Sequence, residues 1–254
     1  MNAQVNGFLG AVMLLTRVPV GALYRHRTES EAHAVVYFPL VGALVGFAGG
    51  LAAWLASLLL PLPAAILISM LVTVAITGGF HEDGLADAAD GLFGGHSPTR
   101  RLEIMKDSRL GSYGAIAIWF SLTLKFVLLQ ELMRRAGTAG LVGALVVAQT
   151  LGRGATVVLL QCLPYARSEP SKSKPFTLRL TGAELAGAAV LPVAVPFLLP
   201  GFDGLRCLVA AAAATFVAGC CCKRLIDGIT GDCLGGTNQL VELACLSAVL
   251  IRVD

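Results

Sequence analysis

The sequence predicts an all-α, polytopic membrane bundle of about seven transmembrane helices, and three observations carry that prediction. The residues AVILMFWYC fill 56% of the 254 positions, and 29 glycines lift the apolar share to roughly two-thirds, against about 45–50% in a soluble domain. Charged residues are 14%, where about 25% is usual. Mean hydropathy is +0.77. A globule of this length has too little interior to hide so much apolar surface, so the surface faces lipid. A soluble enzyme, a disordered chain and a disulfide scaffold are excluded on these grounds. A net charge of +3, with no basic run interleaved with aromatics, argues against nucleic acid as a partner. The seven cysteines form no C-x-x-C pair and no zinc spacing, and most lie in apolar stretches, where cysteine behaves as a small hydrophobe.

The elements follow in order. Residues 3–20 are apolar around Arg17 and Pro19 but lack a basic leader and a cleavage site. They read as an interfacial helix or an eighth span rather than a signal peptide. From 34 to 80 there are 47 consecutive residues without charge, about 70 Å as one helix and more than twice a bilayer core. Pro61-Leu62-Pro63 breaks the run into spans near 34–59 and 63–80. Further apolar blocks lie at 112–132, 138–163, 183–199, 205–222 and 237–251, the last holding Glu242. Gly42, Gly46 and Gly50 recur at the four-residue spacing of close helix packing. The loops then divide, with thirteen Lys and Arg on one side (17–33, 81–110, 164–180, 222–236) and four on the other. The positive-inside rule puts the basic side, and the motif loops with it, in the cytoplasm. The chain reads as one membrane-embedded domain over 1–254, and its small-residue spans are compatible with a homo-oligomer.

The chemistry gathers on the basic side. Four of the sixteen acids fall within His81-Glu82-Asp83-Gly84-Leu85-Ala86-Asp87-Ala88-Ala89-Asp90-Gly91. Asp83, Asp87 and Asp90 stand at i, i+4 and i+7, one stripe of a helix. Like charges so placed repel, so the stripe calls for a cation. Carboxylate oxygens suit a hard divalent ion, and Mg²⁺ normally binds substrate phosphates as well. Gly84 and Gly91 are poor helix formers that fit a close approach of backbone or ligand. The basic block Arg100-Arg101 to Lys106-Asp107-Ser108-Arg109 follows closely, as diphosphate chemistry needs, with cations to hold the leaving group. A third stretch, Asp227-Gly228-Ile229-Thr230-Gly231-Asp232-Cys233-Leu234-Gly235-Gly236-Thr237-Asn238, leads into the last span and lets backbone N–H groups approach a phosphate. Inside the spans are Lys125, Arg153 and Glu242. Intramembrane charge is costly and often functional. Arg153, about 15 Å below the basic side by helical rise, is expected to reach a polar cavity under the acids, whereas Lys125 is expected to snorkel toward the other side. The residues alone describe a membrane enzyme whose Mg²⁺-dependent diphosphate site attacks a phosphoryl group with an alcohol and expels a nucleotide or diphosphate.

The pattern resembles the cobalamin synthase family, the adenosylcobinamide-GDP ribazoletransferases. The matching pieces are Leu15-Thr16-Arg17-Val18-Pro19-Val20, Phe38-Pro39-Leu40-Val41-Gly42, Gly78-Gly79-Phe80-His81 with Asp83-Gly84-Leu85-Ala86-Asp87 and Asp90-Gly91, then Glu103-Ile104-Met105-Lys106-Asp107-Ser108-Arg109-Leu110-Gly111, Arg153-Gly154, and Thr230-Gly231-Asp232 with Leu234-Gly235. They come in the family's order over nearly the whole length. Glu82 stands where the family usually has an apolar residue. The resemblance implies that adenosylcobinamide-GDP is joined to α-ribazole or its 5′-phosphate with release of GMP, using Mg²⁺, in the last steps of nucleotide-loop assembly. It implies Asp83, Asp87, Asp90 and Asp232 around the metal. Lys106, Arg109, Arg153, Thr230, Asp232 and Arg17 would serve the substrates, and Lys106, Arg109 and Arg153 the departing GMP. His81, Asp83, Asp87 and Asp107 would form the catalytic group, with Asp107 or His81 accepting the hydroxyl proton. The cluster would face the cytoplasm from a bacterial inner membrane.

Two rivals fit less well. A CDP-alcohol phosphotransferase shares the opening Asp87-x-x-Asp90-Gly91, but Leu92-Phe93-Gly94-Gly95 follows in place of the expected Ala-Arg, and no Gly-x-x-x-Asp-x-x-x-Asp comes after it. A transporter would scatter polar residues through mid-membrane, whereas these collect at one face.

Overall fold

The computed structural model describes residues 3–24, 33–166, 179–201 and 203–251. Arg25, Arg27, Arg167, Lys172, Lys174 and Arg252, all counted in the sidedness argument, lie outside them. Among the described residues the regular structure is helical, apart from one parallel bridge between Tyr165 and Ile229.

Helix α1 (Ala3–Leu15) has 13 residues. They rise about 20 Å, short of the ~30 Å hydrocarbon core, so α1 alone is no eighth span. Helices α2 (Phe38–Ser57) and α3 (Leu62–Thr77) divide the uncharged run as its prolines require. Pro63 sits in the first turn of α3, where a missing N–H costs nothing. The glycine stripe of α2 lies on the helix that begins at Ser112. A Cβ on Gly46 would come 2.5 Å from the Leu145 carbonyl oxygen, and one on Gly50 would come 2.8 Å from Val142 Cγ2.

At Gly78 and Gly79 the backbone is left-handed twice running, with φ 68° and 69°, a conformation cheap only for glycine. Helix α4 (Phe80–Gly94) therefore leaves α3 at 84°. The acidic helix turns at the end of the bundle instead of continuing through it. A short α5 (Pro98–Ile104) follows, capped by the Ser97 hydroxyl, which accepts from the Arg100 N–H.

Helix α6 (Ser112–Cys162) has 51 residues and breaks at Gly137, φ 64° and ψ −168°. Unbroken it would run about 76 Å. Lys125 and Arg153 would then lie about 42 Å apart, yet both reach the carboxylate of Glu242. The arms 112–136 and 138–162 therefore fold back antiparallel on each other, where the sequence predicted two spans. Helix α7 (Gly182–Ala194) starts with a reciprocal cap between Thr181 and Glu184 and ends in a 3-10 turn, Val195–Leu198. Helices α8 (Asp203–Ile226) and α9 (Gly231–Leu250) complete the bundle.

Helices α2, α6, α8 and α9 are long and apolar enough to cross a membrane. The shorter α3 and α7 occupy the other two expected positions. Residues 233–239 of α9 are buried without interruption, so this helix lies in the middle of the bundle. That placement puts its polar residues inside.

Candidate active site

Glu82 and Asp83 occupy the first turn of α4, where the positive end of the helix dipole favours them. Asp83 is exposed, Asp87 half-buried and Asp90 buried. Gly84 faces the start of α9: a Cβ there would lie 3.1 Å from the Asp232 carbonyl oxygen and 3.1 Å from Gly235 Cα. The close approach expected at Gly84 is thus backbone on backbone. It brings Asp232 alongside the turn of α4 that carries Asp83 and Asp87.

Asp90 is engaged elsewhere. Its Oδ2 accepts the Gly111 N–H at 2.7 Å and its Oδ1 the Gly114 N–H at 2.9 Å. A Cβ on either glycine would collide with the carboxylate. Asp90 thereby satisfies N–H groups at the start of α6 that have no intrahelical partner. Among the described residues no three His, Cys, Asp or Glu side chains form a ready-made metal centre. The stripe of Asp83, Asp87 and Asp90 does not close on one point, because its third member turns to α6. Asp90→Ala is expected to lower stability by about 1–3 kcal/mol, since one buried and one half-buried donor lose a charged acceptor. The thermal midpoint of the detergent-purified protein measures this.

The loop after α5 is pinned from below. Met105 is buried against Gly91, and the Thr230 hydroxyl lies 3.7 Å from its Sδ. Thr230 caps α9: its Oγ1 accepts the Cys233 N–H at 3.2 Å and lies 3.4 Å from Asp232 Oδ2. Lys106 and Arg109 stand exposed beyond this anchor. Asp107 is gripped by Arg109, with Nε to Oδ1 at 3.0 Å and Nη2 to Oδ2 at 2.5 Å, and it also accepts the Arg109 backbone N–H at 3.1 Å. These hydrogen bonds, the side-chain ones first, hold its carboxyl at about 2, below the ordinary 3.8. Asp107 in turn raises the guanidinium of Arg109. Arg101 is structural. It donates to the carbonyls of Leu92 at 3.2 Å and Leu225 at 3.1 Å, at the C-terminal ends of α4 and α8. Arg17 is exposed and lies against Gly78 at the α3–α4 elbow, and its N–H donates to the Ile76 carbonyl at 2.7 Å.

The glycines expected to admit a phosphate serve packing. Gly235 and Gly236 face α4, and Gly228 lies against the Pro164 carbonyl. The same loop is fastened to the end of α6 by Ile229 N–H to Pro164 O at 2.9 Å and Ala166 N–H to Ile229 O at 2.8 Å.

Beneath the acids lies a buried network. Glu242 Oε2 accepts Lys125 Nζ at 2.8 Å, and Glu242 Oε1 accepts Arg153 Nη1 at 3.2 Å. Lys125 also donates to Gln239 Oε1 at 2.8 Å, and Gln239 Nε2 donates to Glu82 Oε1 at 3.0 Å. Arg153 bonds the Gln149 side chain. Lys125 therefore does not snorkel, because a carboxylate lies in its own layer. By helical rise Arg153 is about 14 Å from the end of its arm, Glu242 about 16 Å from the start of α9, and Lys125 about 20 Å from the start of α6. Arg153 is 1% exposed and sits in this network rather than in a cavity open to water. Glu82 is drawn into the same layer and lies within electrostatic range of Arg153. Glu82 Oε2, Arg153 Nε and both amide atoms of Asn238 are buried without a protein partner. Gln149 and Gln239 were not singled out from the sequence, and Asn238 entered only as the end of the glycine-rich stretch; their signal was amide side chains inside apolar spans. His81 is 2% exposed and edge-on to Phe80. It lines a cavity of about 30 Å³ with Phe38, Thr156 and Gly231, room enough for a water molecule.

Three motifs remote in sequence thus meet at one end of the bundle: α4, the 105–111 loop and the start of α9. The family model for cobalamin-5-phosphate synthase (CobS) matches residues 7–250. The chain belongs to this family. It is 43% identical over 244 residues to the adenosylcobinamide-GDP ribazoletransferase of Leptothrix cholodnii, covering 93% of this chain and 92% of that one. It is 37% identical to the proteins of that name from Citrobacter koseri over 246 residues and from Escherichia coli over 248, covering 96% of this chain and 98% of each relative. No solved structure matches the chain. All seven cysteines of this CobS-family chain are free thiols, and four of them (Cys207, Cys222, Cys233 and Cys245) are buried among apolar neighbours as expected.

Proposed function

We propose that this chain joins adenosylcobinamide-GDP to α-ribazole or α-ribazole 5′-phosphate and releases GMP, with Mg²⁺, at the cytoplasmic face of a bacterial inner membrane. The observation that carries the reading is the meeting of the acidic helix, the Lys106–Arg109 loop and the Thr230–Asp232 turn at one end of a membrane bundle of this family. Asp83 and Asp87, one turn apart, with Asp232 across the Gly84–Gly235 contact, are hard oxygen donors that fit Mg²⁺. That ion takes one or two carboxylates plus substrate phosphates rather than an all-protein cage, so a site without a complete protein ligand set is what its chemistry asks for. When bound, Mg²⁺ would supply neutralisation of the diphosphate oxygens.

The chain's own residues do the rest. The ribazole hydroxyl oxygen forms a bond to the phosphorus that carries cobinamide. The bond from that phosphorus to the bridging oxygen breaks, and GMP leaves with that oxygen. Lys106 and Arg109, exposed at the mouth, hold the departing phosphate. Arg153, deeper in the bundle and paired with Glu242, fastens the second arm of α6 to α9 beneath the site. Thr230 fixes the start of α9 and so the place of Asp232, and Arg17 braces the elbow from which α4 departs. We assign the hydroxyl proton to His81, directly or through a water in the cavity it lines. Asp107 has both carboxylate oxygens bonded to the Arg109 guanidinium, so we assign it to holding that cation in place.

The test is GMP release from adenosylcobinamide-GDP and α-ribazole by the purified protein in proteoliposomes. Release should stop with a chelator and return with Mg²⁺; no release with either nucleoside form would sink the reading. The same assay checks Asp107. Its pKa is depressed, so its contribution to stability is complete above the ordinary 3.8 and is lost only as pH falls toward 2. It does not titrate between pH 5 and 9. Asp107→Asn is expected to lower the rate about tenfold by freeing Arg109 while leaving the acid limb of the pH–rate profile in place. Disappearance of that limb would make Asp107 the base.

A further inference from the structure

A groove of about 760 Å³ runs between the second arm of α6, helix α7 and helix α8, away from the site described above. We propose that it is a binding site for one glycerophospholipid with an anionic headgroup.

The groove is long and apolar with one charged end. Its wall on α8 extends from Leu208 to Lys223 and Arg224, sixteen positions and about 24 Å of helical rise. That exceeds the ~15 Å that one leaflet contributes to the hydrocarbon core, so an acyl chain can lie along it at full length. A compact solute would leave most of it bare. The width comes from small residues, Ala188 and Ala189 on α7 and Ala212 on α8. Its apolar walls stand open: Val193 is 56% and Phe216 71% exposed. Thr215, inside the groove, turns its hydroxyl back to the Ala211 carbonyl at 2.6 Å and offers no polar contact at depth. Polar recognition is thereby confined to the end where Lys223 and Arg224 stand. Lys223 is paired with Asp227 at 2.5 Å, whereas Arg224 is exposed and has no ion pair among the described residues. The end carries a net positive charge, and one guanidinium is available for a phosphate. Basic pockets between spans select anionic headgroups in this way.

The inference is independent of the proposed reaction, and lipid retention rather than turnover tests it. The protein is purified from membranes and exchanged into detergent with phosphatidylglycerol or phosphatidylcholine of identical acyl chains. Bound lipid is then counted by native mass spectrometry. The expected result is one phosphatidylglycerol retained about tenfold or more over phosphatidylcholine. Lys223→Gln with Arg224→Gln should abolish the preference, and Ala189→Trp, which fills the groove from α7, should remove the bound lipid of either kind. Ala212→Trp fills it from α8 and gives the same readout if the first variant fails to fold. Equal retention of the two lipids would overturn the proposal. So would retention unchanged in the tryptophan variants, or a dimer that those variants dissociate.

Discussion

Glu242→Leu is expected to cost about 3–5 kcal/mol of stability, the largest loss from any single substitution in the bundle interior. Glu242 is 2% exposed and accepts from both Lys125 and Arg153. Removing it leaves two cations in a low-dielectric layer whose other acid, Glu82, is hydrogen-bonded to Gln239 rather than to either of them. The desolvation already incurred then has nothing to offset it. The opposite deletion behaves differently. Lys125→Met removes one cation and leaves Arg153 paired with Glu242, but it also leaves Glu82 without a compensating charge and Gln239 Oε1 without its donor, so its cost is expected to be about 1–2 kcal/mol, below that of Glu242→Leu. Thermal midpoints of the two variants in the same detergent measure the asymmetry, and equal effects would show that Glu242 is not the hub. Gln239 also binds Glu82 in the first turn of α4, so Glu242→Leu should loosen the acidic helix and lower activity along with stability.

The parts of this fold that were legible in the sequence are those set by short-range chemistry. Pro61 and Pro63 divide an uncharged run too long for one helix. The Gly42, Gly46 and Gly50 spacing marks a packing face, and the gap near 133–137 marks the reversal at Gly137. Gly84 was legible as a close approach, though not as an approach of backbone from a helix about 150 positions away. What the sequence does not display is which distant group a side chain meets. Asp90 satisfies the i, i+7 stripe as well as any acid, yet its oxygens are taken by Gly111 and Gly114, and helical spacing is blind to that. Lys125 sits on the arm of α6 where snorkelling is the ordinary outcome. It turns inward because Glu242, 117 residues on, lies in the same layer. Glu82, which stands where the family usually has an apolar residue, becomes the second negative charge of a layer with two positive ones. In each case the spacing predicted the helix correctly, and the partner was set by tertiary placement.

Asp87→Asn is expected to lower GMP release by about 10²-fold or more with little change in thermal midpoint. Asp87 is half-buried on α4, one turn beyond Asp83 and across from Asp232, so an amide of the same shape keeps the packing and removes the charge. Loss of one charge-stabilising group at a reacting phosphate typically costs that much. If the loss arises through the metal, raising Mg²⁺ should recover part of the rate in Asp87→Asn and none in a variant of the cations. Two controls separate this from a general lesion. Arg134→Ala, exposed at the opposite end and 3.9 Å from Glu131, is expected to leave both activity and stability unchanged. Asp90→Ala should lower the midpoint first, because its carboxylate holds the start of α6. If Asp87→Asn releases GMP at nearly the wild-type rate while Asp90→Ala does not, the acidic helix serves to position α6 and the loop before it, and the metal must be held elsewhere.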